Sequence, residues 1–357
     1  MPSKVDMPIE APALVAVTGA NGFIAQHCIA ALLAKGYRVV GTVRSETKID
    51  GVKQTHGSHP KLSVVTVSDI TSPRQYLEVL GPLSPAAVLH LAAPFHYNAT
   101  DFEKELMVPA VQGSTAILEA CAGIKSVKRV VHTNSFACIY DAAAGPRPDK
   151  TYTARDWSPL TYQDGVEAPN APTAYRASKT AAERAAWRFM EDNSHAGLGF
   201  DLVSLCPAMV FGPFLPKAKP RAVADVNTSN LMVWGVAGAG RDAAVPPTKG
   251  PVWVDVRDVA DAHVRALVVP EAGGGRYLLA QGVYCNQELA DVAREVMPSH
   301  QGRIPVGDPG KREADTHFGV DATETERVLG VSWRGLDDCL RDLLPQLFEI
   351  EKQQSAK

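Results

Sequence analysis

A short apolar run, Leu14-Val15-Ala16-Val17, ends in Thr18-Gly19-Ala20-Asn21-Gly22, and helix-forming residues follow from Phe23 to Lys35, stopping at Gly36. A strand, a glycine turn and a helix in immediate succession leave few architectures open. Further β-branched runs at 39–43, 62–67, 87–91, 127–133 and 200–205 alternate with stretches that read as helices. Continuous apolar runs of this length suit strands buried on both faces of a parallel sheet, so the chain is expected to form a doubly wound α/β layer.

The turn has the spacing Gly19-x-x-Gly22-x-x-Ala25. Gly19 permits the tight bend, Gly22 lets backbone N–H groups approach a phosphate with no Cβ in the way, and Ala25 keeps the helix close to the sheet. Many turns contain glycine, but in this strand-turn-helix setting the spacing reads as a dinucleotide site rather than a plain turn. An NAD site usually carries an acid at the end of the second strand to hold the ribose hydroxyls. Here that place holds Arg44, and with Lys48 it forms a pair suited to a 2′-phosphate, which points to NADPH. The alternative is that Arg44 is a solvated charge after a strand.

Tyr175 and Lys179 stand at i and i+4 in an expected helix over 173–190, on one face. A free tyrosine is mostly protonated near neutrality, and an ammonium beside it favours phenolate, which tunes the group for proton transfer. A hydroxyl should complete the site at the C-terminal end of a strand, where open α/β sheets bind ligands. Ser135 supplies it, with Thr133 as a rival; either could instead cap a turn. His27, His90, His96 and His132 lack ligand spacing, and Asp255, Asp258 and Asp261 read as helix caps or solvated acids.

The chain has 357 residues, is 45% hydrophobic, and carries a formal net charge of -3 from interspersed acids and bases. It is long enough for a large core and has no basic footprint for nucleic acid or an anionic membrane. The six cysteines are scattered singly in apolar stretches, as reduced core residues would be. No apolar leader or span is visible, so the expectation is a soluble cytoplasmic protein, monomer or homodimer, with a small-molecule partner. Residues 1–206 are read as the NADP-binding domain. Residues 207–357 are read mainly as a smaller, interleaved substrate lobe, with 251–268 returning to the first domain, and 349–357 as a solvated tail.

These motifs closely resemble the extended short-chain dehydrogenase/reductases, in the branch of dihydroflavonol reductases, cinnamoyl-CoA reductases and yeast methylglyoxal (carbonyl) reductases. The resemblance rests on 17–25, Gly41-Thr42-Val43-Arg44, Ser68-Asp69-Ile70, His90-Leu91-Ala92-Ala93-Pro94, Thr133-Asn134-Ser135, Tyr175-x-x-x-Lys179 and 206–213. It implies cofactor contacts at Gly19, Gly22, Phe23 and Ile24, adenine contacts at Asp69 and Ile70, a cleft lining of Ala92, Ala93 and Pro94, and a further contact at Thr133. It also implies that Pro207 and Val210 border the nicotinamide and that Lys179 holds its ribose. Two departures stand out: Asn134-Ser135 replaces the usual paired serines, and Ala110 stands where many members have an asparagine that organises a proton relay.

Together the residues indicate reduction of an aldehyde or ketone, with hydride from NADPH and a proton from Tyr175. A sugar-nucleotide epimerase or dehydratase shares the turn and the tyrosine pair but usually retains NAD, and a non-catalytic NADPH sensor commonly lacks the tyrosine or lysine. The substrate pocket is expected from 95–98, 136–140, 213–217 and 232–234, a mix that suits apolar or aromatic carbonyls.

Overall fold

The computed structural model describes residues 8–93, 99–312 and 317–355. The glycine turn joins β1 (Leu14–Thr18) to α1 (Phe23–Ala34). Alternation continues through β2 (Arg38–Val43), α2 (Ile49–Thr55), β3 (Leu62–Thr66), α3 (Pro73–Leu80), β4 (Ala87–His90), α4 (Val108–Ala122) and β5 (Arg129–Thr133). The short β6 (Thr151–Tyr152), α5 (Tyr162–Val166) and the long α6 (Ala171–Asp192) lead to β7 (Asp201–Pro207) and β8 (Met209–Phe211). After these come α7 (Thr228–Ala237), β9 (Val252–Asp255), α8 (Val256–Val268), β10 (Arg276–Leu279), β11 (Gly282–Val283) and α9 (Asn286–Val296). The chain closes with β12 (Gly319–Val320), α10 (Thr323–Leu329) and α11 (Leu336–Ser355).

Seven of the described strands form one sheet in the order β3-β2-β1-β4-β5-β7-β10, with every neighbouring pair parallel. The order reverses between β1 and β4, which opens a crevice at the C-terminal ends of the strands. Alternate residues of each strand bury on opposite faces. Val15 and Val17 join the core under α1 and α8, while Ala16 joins the core under α3, α4 and α6. This is the doubly wound Rossmann layer expected from the runs.

A smaller sheet, β11-β9-β8, begins one residue after β7 and belongs with α7, α9 and α11 to a second core. The run 252–255 pairs there, Met209 opposite Trp253, rather than in the large sheet. The helix behind it, α8, packs on α1, and 276–279 add the outermost large strand. A β-branched run announces a strand but not its partner, because either sheet buries it equally well. At the base of the large sheet Arg129 and Asp201, each 1% exposed, form a bidentate pair at 2.7 and 2.8 Å. The same guanidinium donates to the carbonyls of Ala266 and Val269 and so ties α8 to the sheet.

The final segment is not a solvated tail from 349 onward. Helix α11 runs to Ser355, Ile350 is fully buried, and Glu351 pairs with Arg303 at 2.7 Å. Leu343, Leu347 and Ile350 continue one apolar stripe at i+4 and i+3, and that stripe holds the polar end of the helix in place. No helix among the described residues is long and apolar enough to cross a membrane.

Candidate active site

Gly19 has φ +65°, and a Cβ there would stand 3.0 Å from Ala92 Cα. Gly22 donates its N–H to the Gly19 carbonyl at 2.8 Å and occupies the cap position of α1 with no side-chain cap. The first turn of α1 therefore keeps unsatisfied N–H groups at the crevice, which is the chemistry a pyrophosphate requires. The crevice edge is held by Thr18, whose Oγ1 accepts from the N–H groups of Leu91 and Ala92, both at 3.0 Å. With both lone pairs used, its hydrogen goes to His90 Nδ1 at 2.9 Å. Gly19→Ala is expected to cost about 1–2 kcal/mol, from left-handed strain plus the Ala92 contact, read as a lower urea midpoint.

At the end of β5 the two hydroxyls separate. Thr133 Oγ1 lies 2.7 Å from His263 Nε2, and His263 Nδ1 donates to the Val259 carbonyl at 2.7 Å. Burial pushes His263 down to about 4, so the ring is neutral and its Nε2 must accept the Thr133 hydrogen. Thr133 has no hydrogen left for a ligand. Ser135 caps a short turn by accepting the Ala137 N–H at 3.1 Å, which occupies an acceptor site and not its hydrogen.

Helix α6 is started by Asn170, whose Oδ1 accepts the Thr173 N–H at 3.0 Å, with a proline in its first turn. Tyr175 lines the cleft, whereas Lys179, one turn on, is 9% exposed. Burial pulls Lys179 below its ordinary value, opposed by Cys138, Cys206 and Glu183. Two neutral imidazoles lie nearby: His90, pulled down to about 3 by burial and by Lys179, stacks on His132 at 5.2 Å. His132 accepts from Asn134 Nδ2 at 2.9 Å, so its own N–H faces Ser114 Oγ at 3.0 Å.

A cleft of about 930 Å³ collects Gly19, Gly22, Phe23, Ile24, Thr133, Ser135, Tyr175, Pro207 and Val210. The other expected contacts lie around it. Arg44 and Lys48 are exposed just beyond β2, and Asp69 is exposed beyond β3 with Oδ1 accepting the N–H and hydroxyl of Thr71. Ile70 packs on α4 near Gly113, and Ala92 stands against Gly19 with Ala93 next in the chain. Pro94 and the expected wall at 95–98 lie outside the described residues. Of the other expected walls, Phe136, Ala137 and Tyr140 line the cleft, but 213–217 and 232–234 do not. Their places are taken by Phe318, Val252, Arg176 and 227–229.

A profile of the NAD dependent epimerase/dehydratase family matches residues 15–280. The chain belongs to this family. It is an extended short-chain dehydrogenase/reductase. Its relatives include the NADPH-dependent methylglyoxal reductase GRE2 of Saccharomyces cerevisiae, 34% identical over 94% of this chain and 98% of that protein. The ketoreductase azaE of Aspergillus niger is 35% identical over 94% of this chain and 97% of its own length. Among solved structures, yeast methylglyoxal/isovaleraldehyde reductase Gre2 complexed with NADPH superposes with a TM-score of 0.88. It is 33% identical, over 95% of this chain and 99% of that one.

In this family member the helix that carries Tyr175 and Lys179 rests on a buried polar cluster that residue spacing alone does not suggest. Glu183, one turn after Lys179 and fully buried, accepts from Arg276 at 2.8 and 2.9 Å, from Ser204 at 2.5 Å and from the Cys138 thiol at 2.9 Å. Arg276 also donates to the carbonyls of Ala154 and Asp156 and lies over the Trp157 ring at 3.9 Å. Cys138 and Cys206, 3.8 Å apart, are both free thiols, and burial pushes Cys138 up. One signal was available: Glu183 shares a helix face with Tyr175 and Lys179.

Proposed function

We propose that this protein is an NADPH-dependent carbonyl reductase that converts an aldehyde or ketone to the alcohol at Tyr175. The observation that carries the proposal is the meeting of Ser135 and Tyr175 in one cleft with the uncapped start of α1, while the rival hydroxyl of Thr133 is spent on His263. The family relatives described as an NADPH-dependent methylglyoxal reductase and a ketoreductase support it. The turn at Gly19 and Gly22, open where a Cβ would intrude, fits a dinucleotide phosphate. When bound, NADPH supplies the hydride.

The chain's own groups do the rest. Ser135 donates a hydrogen bond to the carbonyl oxygen and stabilises the charge that develops there. Tyr175 gives that oxygen its proton, and the Lys179 ammonium one turn below lowers the cost of the phenolate left behind. Lys179 would also hold the nicotinamide ribose, and Thr133, Pro207 and Val210, which line the cleft, would border the nicotinamide. Phe23 and Ile24 would meet the phosphates, Asp69 and Ile70 would hold the adenine, and Ala92 and Ala93 would line the crevice. Residues 1–206 serve as the cofactor lobe and 207–357 mainly as the substrate lobe.

The test is consumption of NADPH with aliphatic aldehydes, aryl ketones, cinnamaldehydes, dihydroflavonols and α-dicarbonyls; no turnover with any of them would refute the reading. Arg44 and Lys48 clamp the 2′-phosphate. Arg44→Ala should therefore raise KM for NADPH about 10- to 100-fold, the worth of one charge-assisted contact, with little effect on NADH. Equal losses for both cofactors would remove the clamp.

A further inference from the structure

One charged group in the cleft has no part in the reduction. Arg176, next in the chain to Tyr175, lines the cleft, and its Nη2 donates to Thr173 Oγ1 at 3.1 Å. Thr173 in turn donates to Asn170 Oδ1, so the helix cap props the guanidinium. The Arg176 Nε is buried and has no hydrogen-bond partner. A guanidinium does not lose its proton, so this N–H is always on offer, and leaving it buried without an acceptor is unfavourable. The Nε is closed to the cleft in this conformation, so an acceptor there removes the penalty by drawing the guanidinium toward it.

The surroundings restrict what the acceptor is. Phe136 and Tyr140, which line the same cleft, stack at 4.9 Å, and Phe318 packs on both at 5.9 and 5.7 Å. Lys249 adds an exposed cation to the lining, and the acid Asp141 has Oδ1 committed to the Ala143 N–H at 3.0 Å. A flat apolar wall beside one inner guanidinium suits an apolar body that ends in a planar monoanion. Thr173 takes one Nη2 hydrogen, which leaves the other Nη2–H and the Nη1 hydrogens to meet a carboxylate, with Nε–H joining them once the guanidinium turns toward the cleft. A phosphate dianion would need more donors than this.

We infer that Arg176 determines specificity by selecting carbonyl substrates that carry a carboxylate. The inference rests on the reductase reading, since the carbonyl must reach Tyr175 while the carboxylate lies on Arg176. The full chain is assayed with NADPH and 3-formylbenzoate, 4-formylbenzoate and phenylglyoxylate, each beside its methyl ester, with benzaldehyde as a neutral reference. In at least one pair the acid should exceed the ester about tenfold or more in kcat/KM, chiefly through KM. Arg176→Met should lower that acid-to-ester ratio about 10- to 100-fold, and Arg176→Lys should retain part of it. The ratio within each variant is its own control for folding. Esters preferred in all three pairs, or a ratio unchanged in Arg176→Met, would overturn the assignment. Turnover of benzaldehyde or the esters without preference for the acids sinks only the role of Arg176, whereas no turnover of any probe sinks the reductase reading with it.

Discussion

Tyr175→Phe is expected to lower turnover of a reducible aldehyde by about 10²- to 10⁴-fold, the range for loss of a positioned proton donor. Binding of NADPH, followed by the fluorescence of its reduced ring, should stay within about twofold. The expectation follows from position. Tyr175 stands one turn before the buried Lys179 on a helix held by its own cap, so removing one oxygen leaves α6 and the phosphate turn in place. On the proposed mechanism Ser135 would still polarise the carbonyl, so some turnover should persist. A Tyr175→Phe protein of near-normal rate would show that the proton comes from elsewhere.

The second large effect concerns stability. Glu183→Ala should cost about 3–5 kcal/mol, the usual penalty when one member of a buried ion pair is removed. It leaves the Arg276 guanidinium, 10% exposed, with its carbonyl partners but no counter-charge, and strands the Ser204 hydroxyl, while the Cys138 thiol keeps the Ser135 carbonyl as acceptor. Urea unfolding at fixed pH measures it. A loss below about 1 kcal/mol would mean that water or a rearranged Arg276 compensates, and that the cluster does not hold α6, β7 and β10 together. Glu183→Gln should recover only part of the loss, because its amide presents N–H groups to a guanidinium that has no lone pair to offer.

The parts of the fold that were readable in advance are those written within one turn of helix or one strand. The run before Gly19, the glycine spacing itself and the i, i+4 placement of Tyr175 and Lys179 each act over a few residues, and the structure has each element where the pattern put it. The α11 stripe was equally local. Within the polar stretch 349–355 it is carried by Ile350 alone, the residue that keeps the helix packed.

What could not be read depends on partners far apart in the chain. Thr133 and Ser135 are equivalent by spacing, and what separates them is His263, 130 residues on, which takes the Thr133 hydrogen. Arg276 reaches Glu183 across 93 residues, and Cys138 meets Cys206 across 68. The strand at 252–255 went to the smaller sheet because β8 leaves the large sheet one residue after β7 and offers it an edge.

The sequence by itself therefore determined the doubly wound layer, the phosphate turn and the tyrosine-lysine pair. Hydrogen-bond periodicity, glycine freedom and helical spacing are local physics that need no knowledge of the rest of the chain. Only the tertiary structure decided which hydroxyl keeps a free hydrogen, which buried acid braces α6, and that Arg176 lines the cleft with its buried Nε–H unpaired. Each of these turns on whether a polar group finds a partner once water is excluded, and partners are assigned by packing between distant elements.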